Sequence, residues 1–208
     1  MPPDRPAERM VRCVIGLVVC GTGLAAIIHA ELGLAPWDVL HQGVSRRSGI
    51  PIGTVIILFG GVVLLAWIPL RVRPGVGTIL NAILIGVTVD LLGPQLPAVD
   101  ALGVRIALLV LGTVAFGFGT GLYIGAGLGP GPRDGLMTGL VRRGLSVRVA
   151  RTGLEVGVLV GGFMLGGSAG LGTAVFTFGI GPIVQYFLPR LSMRAEPARC
   201  PPEARVVT

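Results

Sequence analysis

The chain has 208 residues, of which 52% are apolar and only 13% are charged, and its mean hydropathy is +0.83. This composition excludes an ordinary soluble domain and predicts an integral membrane protein whose partner is the lipid bilayer. The formal net charge of +7 comes entirely from arginines that cluster between apolar stretches. We interpret these arginines as topology signals, so we expect no nucleic acid as a partner.

The ends of the chain differ from its middle. Residues 1–10 carry three prolines and four charges, and we expect them to form a disordered cytoplasmic tail, as we do for residues 189–208. Between them, six apolar stretches reach the length of about 20 residues that a helix needs to cross the hydrocarbon core. These predicted spans are residues 11–31, 50–70, 75–93, 103–127, 149–167 and 170–188.

One segment occurs twice. The sequence LGLAPWDVL at Leu32–Leu40 returns 96 residues later as LGPGPRDGL at Leu128–Leu136. Each copy is too short and too polar to span a membrane. Each also has a proline followed two residues later by an acid, which predicts the start of a short amphipathic helix. The chain is therefore predicted to be a duplication of residues 11–93 and 103–188, joined by a loop at 94–102.

Three spans in each copy is an odd number, so the second copy must cross the membrane in the opposite sense. The predicted fold is an all-α membrane protein with six transmembrane helices, arranged as two inverted three-helix repeats. Each repeat has a short extra helix after its first span. With the N-terminus inside, fourteen arginines lie on the inner side and only Arg46, Arg47 and Arg105 lie outside. We therefore expect both termini in the cytoplasm.

Glycine recurs every fourth residue along two predicted spans. The fourth span has Gly117, Gly121, Gly125 and Gly129, and the fifth has Gly153, Gly157 and Gly161. Small residues at this spacing let helix backbones approach closely in lipid. We expect these two faces to pack together or against the equivalent spans of the first repeat, with a homodimer through them as the alternative.

Asp38 and Asp134 are the main candidates for a binding site. Each begins a short segment that interrupts the membrane pattern, and paired interruptions in the two halves of a transporter are typical of a substrate site. The competing interpretation is that both acids cap short interfacial helices and pair with nearby arginines such as Arg133. Trp37 occupies the position aligned with Arg133, where it acts as an interfacial anchor or stacks on a substrate.

Two further polar positions lie inside predicted spans. Glu155 lies seven residues after Arg148, and an acid at that depth indicates function, such as a proton-coupling carboxylate. Arg151 lies four residues earlier on the same helical face, so a buried ion pair is the alternative. Asn81 is expected to form an interhelical hydrogen bond, with a substrate contact as the second interpretation.

The sequence gives no support for an enzyme. No phosphate-binding loop with a lysine is present, and no Ser-His-Asp or Cys-His set is apparent. His29 and His41 are twelve residues apart without a nearby ligand pattern, so we expect no metal and no cofactor. Cys13 and Cys20 share a helical face and are expected to act as small apolar residues.

Several motifs together resemble the YczE/YitT family of bacterial inner-membrane proteins. They are the LGxxPWDVL segment, Gly53-Thr54 at the second span, the PxxGTxxN pattern of Pro74–Asn81, and GPRDGL at Gly131–Leu136. The resemblance runs from about Arg9 to Leu188. It implies a multi-span bacterial membrane protein and says little about its activity.

We favour a small secondary transporter or permease-like protein in which the two Pro-x-Asp segments approach one central site from opposite faces. The first alternative is a substrate-binding membrane subunit of a larger uptake complex. The second alternative is a non-transporting membrane scaffold. No residue identifies the small-molecule substrate.

Overall fold

The computed structural model describes residues 5–193. Over these residues the chain forms eight α-helices and one 3₁₀ turn, without a strand. The helices are α1 (Pro6–Ala30), α2 (Pro36–Ser48), α3 (Ile52–Leu70), α4 (Val76–Leu92), α5 (Leu102–Gly125), α6 (Pro132–Arg142), α7 (Val147–Met164) and α8 (Leu171–Leu191), and the 3₁₀ turn is Gly93–Gln95. We call α1–α4 the first half and α5–α8 the second half.

Five helices are long and apolar enough to cross a membrane. They are α1, α3, α4 with its 3₁₀ turn, α5 and α8, which match five of the six expected spans. The remaining expected span, residues 149–167, falls in α7 and is not among the five. The 18 residues of α7 include three charges, Arg148, Arg151 and Glu155, which lower its apolar character.

The two short helices begin at the predicted prolines, Pro36 and Pro132. Proline suits the first helical position because its fixed φ matches the helix and its missing N–H is not needed there. The same rule corrects the expected N-terminal tail, since α1 already begins at Pro6 and residues 6–10 are helical. Helix α8 similarly continues to Leu191, into the expected C-terminal tail. Residues 1–4 and 194–208 of the two tails lie outside the described residues.

The centre of the fold is the antiparallel pair of α1 and α5. Gly16 faces Gly119, and Gly23 faces Gly112, so the two backbones touch at both ends of the contact. A Cβ atom at Gly16 would lie 2.7 Å from the carbonyl oxygen of Gly119, which leaves no room for a side chain. Helix α4 flanks α1 and helix α8 flanks α5.

The glycine stripes pack differently from our expectation. Gly117 and Gly121 of α5 face Ile183 and Phe187 of α8, and not the stripe on α7. Gly153 of α7 has no protein atom within 4 Å of the place where its Cβ would be, and the same holds for Gly157. The predicted packing of the two stripes on each other is therefore wrong, because the large side chains of α8 fill the space beside α5.

Candidate functional site

A cavity of about 290 Å³ lies at the meeting point of α2 and α6. All eight helices contribute to its wall, and α1 contributes Leu24 alone. All six candidate residues from the sequence line this cavity, namely Trp37, Asp38, Asn81, Arg133, Asp134 and Glu155. The tertiary structure thus brings together residues that are up to 118 positions apart in the chain.

The starts of α2 and α6 are held in place by complementary packing. The indole Nε1–H of Trp67 donates a hydrogen bond of 3.0 Å to the Pro132 carbonyl at the start of α6. The ring lies so close to Gly135 that a Cβ atom there would overlap it. On the other side, Gly162 of α7 leaves room for the backbone of α2 at Leu40. These contacts fix both Pro-x-Asp segments on the cavity wall.

Asp38 is locked into an ion pair that joins the two halves. Its carboxylate accepts hydrogen bonds of 3.1 Å from Arg133 Nη2 and 3.1 Å from His41 Nδ1. The Asp38 residue is only 1% exposed. The guanidinium carbon of Arg133 lies 5.1 Å from the centre of the Trp37 ring, which is within the range of a cation–π contact.

These contacts keep the Asp38 side chain charged. Burial raises the pKa of its carboxyl, but Arg133 and His41 together outweigh burial and hold the pKa below its ordinary value. Burial lowers the pKa of His41, so its ring is neutral near pH 7 and donates the Nδ1 proton to the carboxylate. Asp38 therefore makes its contacts with side chains and does not cap α2.

Asp134 has a different environment, although its position corresponds to that of Asp38. Within residues 5–193, no arginine lies at ion-pair distance from its carboxylate, which is open to the cavity. The backbone N–H of Gly131, at the start of α6, interacts with the carboxylate and lowers its pKa. Burial raises the pKa of the Asp134 carboxyl above its ordinary value, and the more distant Arg133 offsets only part of this rise.

The remaining two candidates have clear outcomes. Glu155 accepts a hydrogen bond of 3.1 Å from Arg151 Nε, so an ion pair forms, but it is partly exposed and not buried as the alternative expected. Asn81 makes no side-chain hydrogen bond to any residue that the structure describes, which corrects the expected interhelical bond. Its amide nitrogen lies 3.8 Å from the Cβ position of Gly131, beside the Asp134 carboxylate.

The sequence analysis missed most of the aromatic wall. His41 lies three residues after Asp38 on the same helical face, and this spacing could have identified it as a partner of the acid. Phe59, Phe116, Tyr123 and Phe176 come from three different helices, α3, α5 and α8, so only the tertiary structure shows that they meet in the cavity. No cluster of three or more metal-ligating side chains occurs within the described part of the chain.

Comparison with known proteins places the chain in a family. It matches DUF6198, a family of unknown function, over residues 7–189. It belongs to this family. An uncharacterized protein of Haemophilus influenzae is 42% identical over 180 residues, which cover 84% of this chain and 81% of that protein. The uncharacterized membrane protein YczE of Bacillus subtilis is 34% identical over 178 residues, with 84% and 83% covered.

A further relative comes from the same organism as YczE. The uncharacterized protein YyaS of Bacillus subtilis is 26% identical over 182 residues, which cover 84% of this chain and 90% of that protein. No solved structure matches the chain significantly. The likeness to YczE confirms the resemblance seen in the motifs. Together with the five apolar helices, it identifies this member of DUF6198 as a multi-pass membrane protein.

Proposed function

We propose that this protein is a secondary transporter or permease-like protein for a small molecule, with the cavity as its substrate site. The observation that carries the proposal is the Asp38–Arg133 ion pair, because it connects the interrupted segments of the two halves at the cavity wall. Interrupted segments from two halves that meet at one polar cavity are typical of secondary transporters.

An inverted repeat underlies this proposal, and reciprocal contacts between the halves support it. Arg9 Nη1 donates a hydrogen bond of 2.9 Å to the Ala126 carbonyl at the end of α5. Arg105 Nε donates one of 2.7 Å to the Ala30 carbonyl at the end of α1. The two arginines are 96 residues apart, and so are the two alanines, which is the spacing of the duplicated segment.

The loops after α1 and α5 also make reciprocal contacts, because each binds the start of a helix in the other half. The N–H of Gly77 at the start of α4 donates a hydrogen bond of 2.9 Å to the Leu128 carbonyl. The N–H of Gly172 at the start of α8 donates one of 2.7 Å to the Leu32 carbonyl. Each half thus contacts the other through the same pair of elements. Such a pair of halves can alternate between two states when one half rocks against the other.

The proposed topology has six spans, in which α7 is added to the five long apolar helices. The ion pair of Arg151 and Glu155 reduces the cost of placing these two charges in lipid, and Arg148 lies near the end of the helix where its side chain can reach the interface. Both termini are then cytoplasmic, in the inner membrane. A reporter fused at Asp100 and one fused after residue 193 would test this, and activity of the second in the periplasm would overturn it.

The proposed oligomeric state is a homodimer. No atom of another described helix lies within 4 Å of the Cβ positions of Gly153 and Gly157 on α7, and small residues of this spacing favour helix association in lipid. Crosslinking of a cysteine placed at Gly157 in native membranes tests this arrangement, and a monomeric product at full reactivity would contradict it.

Transport by the protein alone is the decisive test. Vesicles containing only the purified protein are incubated with a mixture of bacterial metabolites, and the trapped compounds are identified by mass spectrometry against empty vesicles. Leu154→Trp narrows the cavity and should abolish the uptake, whereas Val156→Trp on the exposed side of α7 should retain it. Uptake that needs a co-purifying ATPase would instead favour a subunit of a larger complex.

A further inference from the structure

The charges on the cavity wall do not cancel. Three acids and two arginines line the cavity. Asp38 pairs with Arg133, and Glu155 pairs with Arg151. Asp134 is left as the carboxylate without an arginine at ion-pair distance among residues 5–193. The wall therefore offers one negative charge to a ligand.

The duplication explains why this acid has no partner. Asp38 is held by Arg133 from the other half and by His41 from its own helix. The residues 96 positions away from these two partners are Trp37 and Met137. Neither side chain can form an ion pair or donate a charged hydrogen bond to a carboxylate. The sequence of the two halves has diverged at the positions that decide the charge of the site.

Two neutral polar groups lie beside Asp134. The position that a Cβ would take on Gly131 is 3.3 Å from Asp134 Oδ2, 3.1 Å from the Tyr123 hydroxyl and 3.8 Å from the Asn81 amide nitrogen. A carboxylate, a phenol oxygen and an amide thus converge on one point. The carboxylate and the phenol oxygen can accept hydrogen bonds from a primary ammonium group, which has three N–H donors. The nearest Asn81 atom is the amide nitrogen, and rotation of the amide by half a turn brings its acceptor oxygen to the same point.

The rest of the wall is aromatic. Five rings border the cavity, those of Trp37, Phe59, Phe116, Tyr123 and Phe176. Phe116 and Phe176 are in edge-to-face contact, with ring centres 5.4 Å apart. Aromatic faces attract cations and also pack well against apolar groups. A cation with an apolar body satisfies both parts of this wall.

An anionic ligand fits the same wall less well. Arg133 already donates to Asp38 and lies over the Trp37 ring, and Arg151 donates to Glu155. An anion would have to displace a carboxylate from one of these arginines. It would also bring a second negative charge close to Asp134, which costs free energy in a cavity of low polarity.

We propose that the cavity binds a small organic cation, a primary amine with an apolar body, whose ammonium group is held by Asp134, Tyr123 and Asn81. This proposal rests on the cavity being the substrate site of the proposed transporter. The volume of about 290 Å³ is near the lower end for small-molecule sites, so the ligand is a small amine.

Three probes of the same shape test the charge preference. 2-Phenylethylamine carries a cation, 2-phenylethanol is neutral and 3-phenylpropanoate is an anion. Their binding to the full-length protein in lipid nanodiscs is measured by calorimetry at pH 7. We expect the amine to bind at least about tenfold more tightly than the alcohol, and the anion to bind most weakly. Equal binding of amine and alcohol, or tighter binding of the anion, would overturn the proposal without any variant.

Two matched variants then locate the charge. Asp134→Asn removes the unpaired carboxylate and should reduce the preference for amine over alcohol to less than threefold, with alcohol binding unchanged. Glu155→Gln removes an acid of the same cavity that is already paired, and the preference should persist. Loss of the preference in Glu155→Gln but not in Asp134→Asn would assign the site to the wrong acid and contradict the proposal.

Binding and transport are scored separately. Amine binding that depends on Asp134, without amine flux in vesicles, would support this inference and count against the transporter. Flux of an uncharged or anionic compound, without amine binding, would support the transporter and overturn this inference.

Discussion

The two short helices α2 and α6 begin alike and differ in what their acids contact. In α2, Asp38 is buried and bound by an arginine and a histidine side chain. In α6, Asp134 interacts with the backbone N–H of Gly131, has no arginine at ion-pair distance within residues 5–193 and is open to the cavity. The two acids therefore differ in environment, since one is held in an ion pair between the halves and the other faces the cavity.

The helix pairs that follow these segments, α3 with α4 and α7 with α8, also differ in how closely their members pack. Helices α3 and α4 are closely joined, because Gly53 meets the backbone of Gly86 and Asp90 accepts a hydrogen bond of 2.6 Å from the Gly53 N–H. Helix α7 packs instead against α2, and no described atom outside α7 lies within 4 Å of the Cβ positions of Gly153 and Gly157. Both α7 and α8 contribute residues to the cavity wall. The two helix pairs thus differ in packing, since α3 lies against α4 whereas α7 lies against α2.

The largest effect on stability is expected when a side chain is added at the close contact of Gly53 with Gly86. In Gly53→Ala the new Cβ would lie 2.0 Å from the Gly86 carbonyl oxygen, and backbone on both sides must move. We expect a loss of about 3 kcal/mol in the free energy of unfolding. Gly153→Ala on α7 meets no atom within 4 Å and should change it by less than about 1 kcal/mol. Thermal unfolding in detergent measures both, and equal midpoints would contradict the difference in packing.

The two acids should differ next. Asp38→Asn leaves the Arg133 charge without its carboxylate, and we expect a loss of about 2 kcal/mol. Asp134→Asn breaks no ion pair and should change stability by less than about 1 kcal/mol. Removing both partners, as Asp38→Asn with Arg133→Gln, should recover part of the loss because no unpaired charge remains. A double variant no more stable than Asp38→Asn would show that the ion pair is not the cause.

A smaller effect on local stability is expected at the start of α3, and none at the start of α7. Asp90 accepts hydrogen bonds from the Gly53 N–H and the Thr54 hydroxyl at the start of α3. Asp90→Asn should weaken this start by about 1 kcal/mol and speed hydrogen exchange in the first turn of α3. Gln185 lies 95 residues later and makes no side-chain hydrogen bond within the described chain, so Gln185→Ala should leave exchange at α7 unchanged.

The smallest effect is a shift with pH. Burial raises the pKa of the Asp134 carboxyl, and Arg133, the Gly131 N–H and Arg151 oppose this rise. The carboxylate therefore takes up a proton at a higher pH than an ordinary aspartate, and binding of 2-phenylethylamine should weaken as the pH falls through that range. In Asp134→Asn the residual binding should not vary over the same range. A wild-type affinity that is constant down to the ordinary pKa of aspartate would contradict this.

Linkage gives the two acids opposite effects on stability. The lowered pKa of Asp38 means that its ion pair contributes stability at neutral pH, which is lost as the pH falls through the pKa of the folded state. The raised pKa of Asp134 means that stability is gained as that carboxyl is protonated on acidification. Unfolding of Asp38→Asn and Asp134→Asn along a pH series separates the two contributions.

Local signals predicted much of the framework. Apolar length gave five of the helices, and the two prolines gave the starts of α2 and α6. The same rules placed Asp38 and Asp134 in corresponding segments, because the duplication is visible in the residues themselves. The expectation failed for the glycine stripes, since spacing alone does not say which helix will lie opposite a small residue.

The sequence by itself indicated a membrane protein with a repeated segment, because hydropathy, proline position and repetition are local properties of the chain. Only the tertiary structure decided that Arg133 binds Asp38 and not its neighbour Asp134, and that five aromatic rings meet beside the free acid. The physical reason is that an ion pair and a cavity depend on distances between side chains far apart in sequence, and contacts such as those of Trp67 with α6 and of Gly162 with α2 hold the two segments in place.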